Sequence, residues 1–365
     1  MKIAVMGTIG IPAKYGGVER HVEELYTRLA ERGHQITVFC RSFYTETGGL
    51  YRGIRLVRLP TIRTKHMENL VHTSLATMVA LGHDYHLVHY HAMGPALFSL
   101  IPKLRGMRSA VTLHGLDWQR DKWGPLARRV LQLGENAAVR FPDTTVVVSR
   151  TMQEYLRRKY RKEARYIPNG VNIPSPASPA SPEPLRHLGI ESGRYILFAS
   201  KLSPEKGCHY LIDAFKQVRT DHRLVIAGGS RHSDDYISSL KARAGPEVLF
   251  LGFVWGEVLE ALFTHAYLFV QPSTIEGLAI SVLEAMSYGK CVVCSDIPEN
   301  REVIADCGIT FRDRDEGHLA QKLAMLLSKP GYVEELGNSA RERVRREYNW
   351  DKVARETEQL FVSLL

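Results

Sequence analysis

The sequence predicts an α/β protein built from two doubly wound, Rossmann-like domains. Short β-branched runs alternate with helical patterns through both halves, the signature of parallel sheets covered by helices. The 365 residues leave room for two cores of ordinary size, and a stretch rich in proline, serine and alanine divides them. In the first half, strands are expected at Ile3 to Met6, Gln35 to Phe39, Ile54 to Leu59, His86 to Tyr90, Ala110 to Leu113 and Thr145 to Val148. Val22, Leu25 and Leu29 recur at helical spacing after Gly17, and Gly33 stops that helix. In the second half, strands are expected at Tyr195 to Ala199, Leu224 to Ala227, Val248 to Leu251, Tyr267 to Val270 and Cys291 to Cys294. Between the halves runs Pro174 to Pro184, a stretch read as unable to pair in a sheet or continue a helix. The expected layout is a first domain at 1–173, a linker at 174–184, a second domain at 185–332, and a helical segment at 333–365. That last segment is broken at Tyr348 and Trp350, and the N-terminal domain is the surface it would pack on.

Composition narrows the function. With 44% hydrophobic and 24% charged residues the chain reads as a soluble globular protein. No apolar run approaches the roughly 20 residues of a membrane span, and no signal-peptide pattern precedes the strand entered at Lys2, so the cytoplasm is the expected compartment. Five cysteines, at 40, 208, 291, 294 and 307, suit reduced thiols, and the pair Cys291 and Cys294 falls inside an apolar strand rather than a zinc knuckle. The net charge of +9 is uneven: residues 1–190 hold 27 Lys+Arg against 14 Asp+Glu, and residues 191–365 hold 21 against 25. Basic residues gather at Lys103, Arg105 and Arg108, at Arg128 and Arg129, and from Arg157 to Arg165. Such a face attracts an anionic membrane or a phosphorylated substrate, and equally serves as a solvated surface. No aromatics interleave with the charge as in RNA-binding motifs, so nucleic acid is not an expected partner.

Glu276-Gly277-Leu278-Ala279 leads into an apolar helical pattern that carries Glu284 and stops at Gly289. The first N–H groups of such a helix, with the positive end of its dipole, favour a diphosphate. One carboxylate before the helix and one inside it then flank that anion, and carboxylates accept hydrogen bonds from vicinal sugar hydroxyls. Either glutamate alone reads as a loop or surface residue. Gly16 and Gly17 before the helix at Val18 allow close backbone approach to a phosphate or sugar, while the full spacing of a dinucleotide fingerprint is absent. His83, His86, His89 and His91 invite a metal reading, but His89 and His91 alternate along a strand without a carboxylate partner, and no metal site is expected.

The paired-glutamate segment resembles the signature of the retaining glycosyltransferase family 4, whose members have the GT-B fold, in which two Rossmann-like domains face each other across a cleft. Further matches are Gly7-Thr8-Ile9-Gly10-Ile11-Pro12 with Tyr15-Gly16-Gly17-Val18-Glu19, Leu113-His114-Gly115-Leu116-Asp117-Trp118, Ile167-Pro168-Asn169-Gly170-Val171, and Lys201-Leu202-Ser203-Pro204-Glu205-Lys206-Gly207. The opening region resembles bacterial polysaccharide transferases. The resemblance implies that Glu284 binds the donor ribose, Glu276 the transferring sugar, Lys206 and Lys201 the diphosphate, and that Gly252-Phe253-Val254 lies beside the nucleobase. Lys201 stands where many members have arginine, which keeps a cation but loses the bidentate fork. It also implies that His114 faces the sugar and the reacting centre, and that Asp117 and Trp118 shape the acceptor side. No cofactor is implied beyond the nucleoside-diphosphate sugar itself: two lysines and a helix N-terminus stand in for a metal, and no Asp-x-Asp pair of the kind used by metal-dependent sugar transferases is recognised. The expected acceptor is a glycan or lipid-linked glycan, with the protein cytoplasmic or peripheral at the inner membrane face. A nucleotide-sugar epimerase on the same fold and a non-catalytic binding subunit stay open as alternatives.

Overall fold

The computed structural model describes residues 1–14, 16–46, 48–64, 67–120, 123–175, 179–230 and 234–365. The chain forms two compact units, Met1–Gly170 with Trp350–Leu365, and Val171–Asn349. The division therefore falls at 170/171 rather than at 174, and the C-terminal segment is cut at 349/350 rather than at 333. Packing explains the first crossing. His21 Nδ1 donates to Asn169 Oδ1 at 2.8 Å, and Gly170 lies so close to Trp350 that a Cβ would come within 2.5 Å of the indole. The next residue belongs to the second unit, where Val171 N donates to Tyr348 O at 2.7 Å. The proline-rich stretch also holds a short helix, Glu183–Arg186, with Pro184 in its first turn, where the missing N–H costs nothing; Pro176, Ala177 and Ser178 lie outside the described residues.

The first unit is an eight-stranded sheet of β1 Lys2–Met6, β2 Gln35–Arg41, β3 Gly49–Tyr51, β4 Ile54–Leu59, β5 Leu87–His91, β6 Arg108–Leu113, β7 Thr144–Val147 and β8 Arg165–Tyr166. Their spatial order is β3-β4-β2-β1-β5-β6-β7-β8, parallel except for β3 against β4. Alternate residues of β1 enter opposite cores. Ile3 and Val5 pack with Val22, Leu25, Tyr26 and Leu29 of the helix Gly17–Glu31, while Ala4 and Met6 pack with Ala76, Ala80 and Met93 on the other face. Helices on both faces are what make β1 a continuous apolar run. The last helix, Trp350–Val362, completes the first core with Trp350, Val353, Ala354 and Phe361. Each such large side chain removed from water contributes about 1.5–3 kcal/mol, which holds the returning segment in place.

The second unit is an all-parallel sheet of β9 Tyr195–Ala199, β10 Arg223–Ala227, β11 Val248–Gly252, β12 Leu268–Gln271, β13 Val292–Ser295 and β14 Ile309–Phe311, in the order β11-β10-β9-β12-β13-β14. The helix Pro330–Glu347 belongs here, burying Val333 and Leu336 against that core. In both sheets the strand order reverses once near the middle, between β1 and β5 and between β9 and β12. Ligands of open α/β sheets bind beyond the carboxyl ends of the strands at such reversals. The loops that leave β1, β6, β9 and β12 each carry a recognised motif.

Candidate active site

In the second unit the loop leaving β9 carries Lys201 and Lys206, and the loop leaving β12 carries Glu276. The two are drawn together by backbone. Gly207 has φ +69° and a Cβ there would lie 1.9 Å from Pro272 O, so only glycine permits this approach. Thr274 N then donates to Glu205 O at 2.9 Å. The result is a direct grip: Lys206 Nζ donates to both carboxylate oxygens of Glu276, at 2.6 and 2.8 Å. Glu276 is 7% exposed and Lys206 20%, so the pair is shielded from water on most sides. Behind it stands Gln271, fully buried at the end of β12, which donates to Glu276 Oε1 at 3.3 Å and accepts from Ser281 Oγ at 3.2 Å. Gln271 thereby ties the glutamate to the first turn of the helix Ile280–Ser287.

That helix begins after Ala279, with Gly277, Leu278 and Ala279 buried just before it and Glu284 half-buried within it. Gly252, Phe253 and Val254 leave β11 and connect to the same region through glycines: Gly228 N donates to Gly252 O at 2.7 Å, and Leu202 N to Gly229 O at 3.0 Å. The Phe253 ring covers Gly229, where a Cβ would meet it at 2.6 Å, and it stacks on Trp255 at 5.8 Å with 14° between the planes. Lys201 is exposed on the β9 loop. A cavity of about 1100 Å³ also lies in this unit, lined by Pro174, Pro179, Val254, Lys290 and Arg341 among others. It includes none of Lys206, Glu276 or Glu284, and of the residues expected at the donor only Val254 lines it.

The expectation about Asp-x-Asp needs correction, because Asp313-Arg314-Asp315 has that spacing. Asp315 caps the helix Glu316–Leu327 by accepting from His318 N at 2.7 Å, and it pairs with Arg312 at 2.9 Å. Its carboxylate is thus occupied in holding a helix terminus.

In the first unit, His114 follows β6, and His91 ends β5 two strands from β2. His91 Nδ1 lies 3.0 Å from His114 Nε2, and the rings stack at 5.3 Å. His21, on the helix Gly17–Glu31, meets His114 edge-on at 4.8 Å and Trp350 at 5.6 Å. Burial lowers the pKa of His21 to about 4 and moves those of His91 and His114 well below the usual imidazole value, so all three are neutral near pH 7. Among the described residues these three form the one histidine, cysteine and carboxylate group close enough to consider for a metal, with ligand atoms within 4.8 Å of one another. Tetrahedral zinc needs N···N edges of roughly 3.4 Å, so the imidazoles would have to draw inward and give up the His91–His114 contact. The four histidines considered from sequence do not form such a group: His86 Nδ1 accepts from Lys2 N, and His89 is bonded to Tyr26 and Thr112.

Gly16 is required by the fold itself. It has φ +100°, and a Cβ there would lie 2.2 Å from Glu19 Oε2. The buried Glu19 turns back to accept from Thr8 Oγ1 at 3.3 Å and Ile9 N at 3.2 Å, stitching the β1 loop to the helix that starts at Gly17. Tyr15 lies outside the described residues. Asp117 pairs with Arg120 at 3.4 Å, and Trp118 donates its indole N–H to Glu135 at 2.6 Å. Glu135 is completely buried and also accepts from Tyr155, Lys159 and Tyr160. His21, Glu135 and Gln271 were not singled out from sequence, and His91 and Glu19 were noted there without the roles the structure gives them. Their signal was a polar residue at a position the helix or strand period assigns to the core.

Comparison with known proteins gives the family and the fold. Residues 15–174 match the model of "Glycosyltransferase Family 4" and residues 185–343 that of "Glycosyl transferases group 1". The chain belongs to the glycosyltransferases of this family 4 and group 1 type. Among its relatives is an α-maltose-1-phosphate synthase of Mycolicibacterium smegmatis, 27% identical over 99% of both chains. A glycogen synthase of Mycobacterium tuberculosis is 25% identical over 100% of this chain and 95% of the relative. The fold matches that of sucrose-phosphate synthase from Thermosynechococcus elongatus, with a TM-score of 0.86, 23% identity, and coverage of 100% and 98%. It also matches Anabaena HepE, solved in complex with UDP and glucose, with a TM-score of 0.82, 19% identity and full coverage of both chains. These neighbours are GT-B glycosyltransferases, and two parallel-sheet α/β units are what this chain forms.

Proposed function

We propose that this glycosyltransferase moves a sugar from a nucleoside-diphosphate sugar to an acceptor hydroxyl, with retention at the anomeric carbon and without a metal ion. The observation that carries the reading is the shielded Lys206–Glu276 pair at the strand reversal of the second unit. When the donor binds, its diphosphate takes the place of Glu276 on Lys206 and reaches the N–H groups that open the helix Ile280–Ser287. Glu276, released from the lysine, accepts from hydroxyls of the transferring sugar, and Glu284 accepts from the ribose. The base lies beside Gly252, Phe253 and Val254. Neighbours solved with UDP, UDP-glucose or ADP support a nucleotide donor.

Retention follows from attack on the face the diphosphate leaves. The bond from the anomeric carbon to the phosphate oxygen breaks, the bond to the acceptor oxygen forms on that face, and a diphosphate oxygen takes the acceptor proton. Lys206, Lys201 and the helix terminus stabilise the departing charge. By the family resemblance His114 takes the role of facing the sugar, and Asp117 and Trp118 that of shaping the acceptor side, for a glycan or lipid-linked glycan.

A thermal-shift panel of UDP, GDP, dTDP and ADP identifies the nucleoside, since a ligand that binds only the folded state raises Tm. The matching sugar nucleotide is then assayed with candidate acceptors in excess EDTA, and the product anomer is read by NMR. Activity lost in EDTA and restored by magnesium or manganese overturns the metal-independent reading. Release of an altered sugar without an acceptor favours an epimerase, and nucleotide binding with no turnover a binding subunit.

A further inference from the structure

We infer that His91 sets the tautomer of His114, holding its single proton on Nδ1. His91 is fully buried, its Nδ1 lies 3.0 Å from His114 Nε2, and its own Nε2 has no hydrogen-bond partner. Two arrangements satisfy the contact between two neutral imidazoles. In one, His114 Nε2–H donates to His91 Nδ1, and the proton of His91 then sits on Nε2 as a buried donor with nothing to receive it. In the other, His91 Nδ1–H donates to His114 Nε2, and what is left unpaired on His91 is only a lone pair.

Orphaned buried N–H groups are much rarer than under-used acceptors, so the second arrangement prevails. The proton on one imidazole nitrogen is set by the bond the other makes. His114 therefore carries N–H at Nδ1 and a bonded lone pair at Nε2. Burial keeps protons off both rings, so the pair does not resolve the choice by becoming cationic.

The surroundings hold His91 in this role. Gly7 has φ +96°, and its missing Cβ would lie 2.3 Å from His91 O, so the end of β5 is locked beside the β1 loop. Tyr26 meets the His91 ring edge-on at 6.2 Å. The consequence for catalysis, which rests on the transferase reading, is that His114 offers a neutral donor at Nδ1. It can hydrogen-bond a sugar oxygen without placing positive charge beside an anomeric carbon that is itself becoming positive. It cannot serve at Nδ1 as the base for the acceptor. His91 is a positioning residue, not a catalytic one.

Nitrogen-15 NMR of the histidine-labelled, unliganded protein tests this directly. His114 is assigned by the signal lost in His114→Gln. The expected spectrum shows one-bond N–H coupling at His114 Nδ1 and an unprotonated Nε2, unchanged by EDTA. In His91→Leu the proton redistributes toward Nε2, and kcat falls by about 10–100-fold, the range seen when the partners that orient metal-bound histidines are removed, while the donor KM changes little. If His91→Leu does not fold, the parent spectrum alone decides. A proton found on His114 Nε2 in the parent protein, or histidine signals that move when EDTA is added, overturns the inference. The tautomer is read without turnover, so a protein with Nδ1–H at His114 but no transferase activity would refute the functional reading and leave this one standing.

Discussion

Two kinds of ionisable residue stand at the proposed site positions, carboxylates in the second unit and imidazoles in the first. In the second unit Glu276 accepts hydrogen bonds from Lys206 and Gln271, whereas the imidazoles of the first unit are held neutral by burial. Replacing Glu284 by alanine removes charge-assisted bonds proposed to reach the ribose, worth ~1.5–3 kcal/mol, so nucleoside-diphosphate affinity should fall roughly tenfold or more. Titration calorimetry checks it, and an unchanged affinity would remove Glu284 from the donor site. The histidines make a separate prediction. Burial lowers His21 to about 4 and His89 to about 3, both below the ordinary 6.5. The unfolded chain therefore binds more protons than the folded one below pH 6.5. The stability from keeping these rings neutral is complete above that pH and is lost as pH falls toward 4 and then 3. Scanning calorimetry should show Tm declining steadily through that window, and His89→Leu or His21→Asn should flatten the decline. A Tm independent of pH between 6.5 and 4 would contradict the buried neutral cluster.

At the scale of elements, two strands coincide with their sequence expectations: Ile54 to Leu59 with β4, whose first residues alternate buried and exposed, and Tyr195 to Ala199 with β9, a continuous apolar run buried on both faces. The strands with no advance signal, β3, β8 and β14, are two or three residues long, too short for alternation to register. The motif Ile167 to Val171 was visible as a pattern, but its work was not, because Asn169 holds His21 across 148 positions of sequence and Gly170 makes room for Trp350. Such pairings depend on the topology, which local propensity does not encode. The same holds for Glu135, whose donors arrive from the Asp117–Gln119 turn and from the helix Arg150–Tyr160. Glu135→Leu would leave a lysine and three aromatic donors without their shared acceptor, at about 1–3 kcal/mol for each group that stays buried. The expected outcome is a Tm several degrees lower and a Trp118 fluorescence change, with donor affinity in the second unit unaffected. A variant with parental stability would show that the hub is dispensable.

For the molecule as a whole, the charge division follows the units: 28 Lys+Arg against 16 Asp+Glu in residues 1–170 and 350–365, and 20 against 23 in 171–349. Much of the basic run seen in the sequence is internally matched. Arg157 and Arg158 pair with Glu154, Lys159 with Glu135, and Lys103 and Arg108 with Asp143. What distinguishes the first unit is that exposed leucines accompany its cations. Leu126 and Leu133, 76% and 63% exposed, lie two turns apart on the helix Pro125–Arg140 with Arg129 between them, and Leu104, 80% exposed, stands beside Arg105. Leucines with flanking arginines are the composition of a surface that enters the interfacial layer of an anionic bilayer. No helix among the described residues is long and apolar enough to cross a membrane. Each cation near the surface adds ~1 kcal/mol, screened within a Debye length of about 10 Å at 0.1 M salt. Co-sedimentation should therefore show binding to vesicles containing phosphatidylglycerol, little to phosphatidylcholine alone, and partial release by salt, because the leucine contribution does not screen. Leu126→Ser with Leu133→Ser should remove the salt-resistant fraction, and Arg129→Glu the salt-sensitive one. Equal absence from both vesicle types would leave these residues a solvated face and the acceptor a soluble glycan.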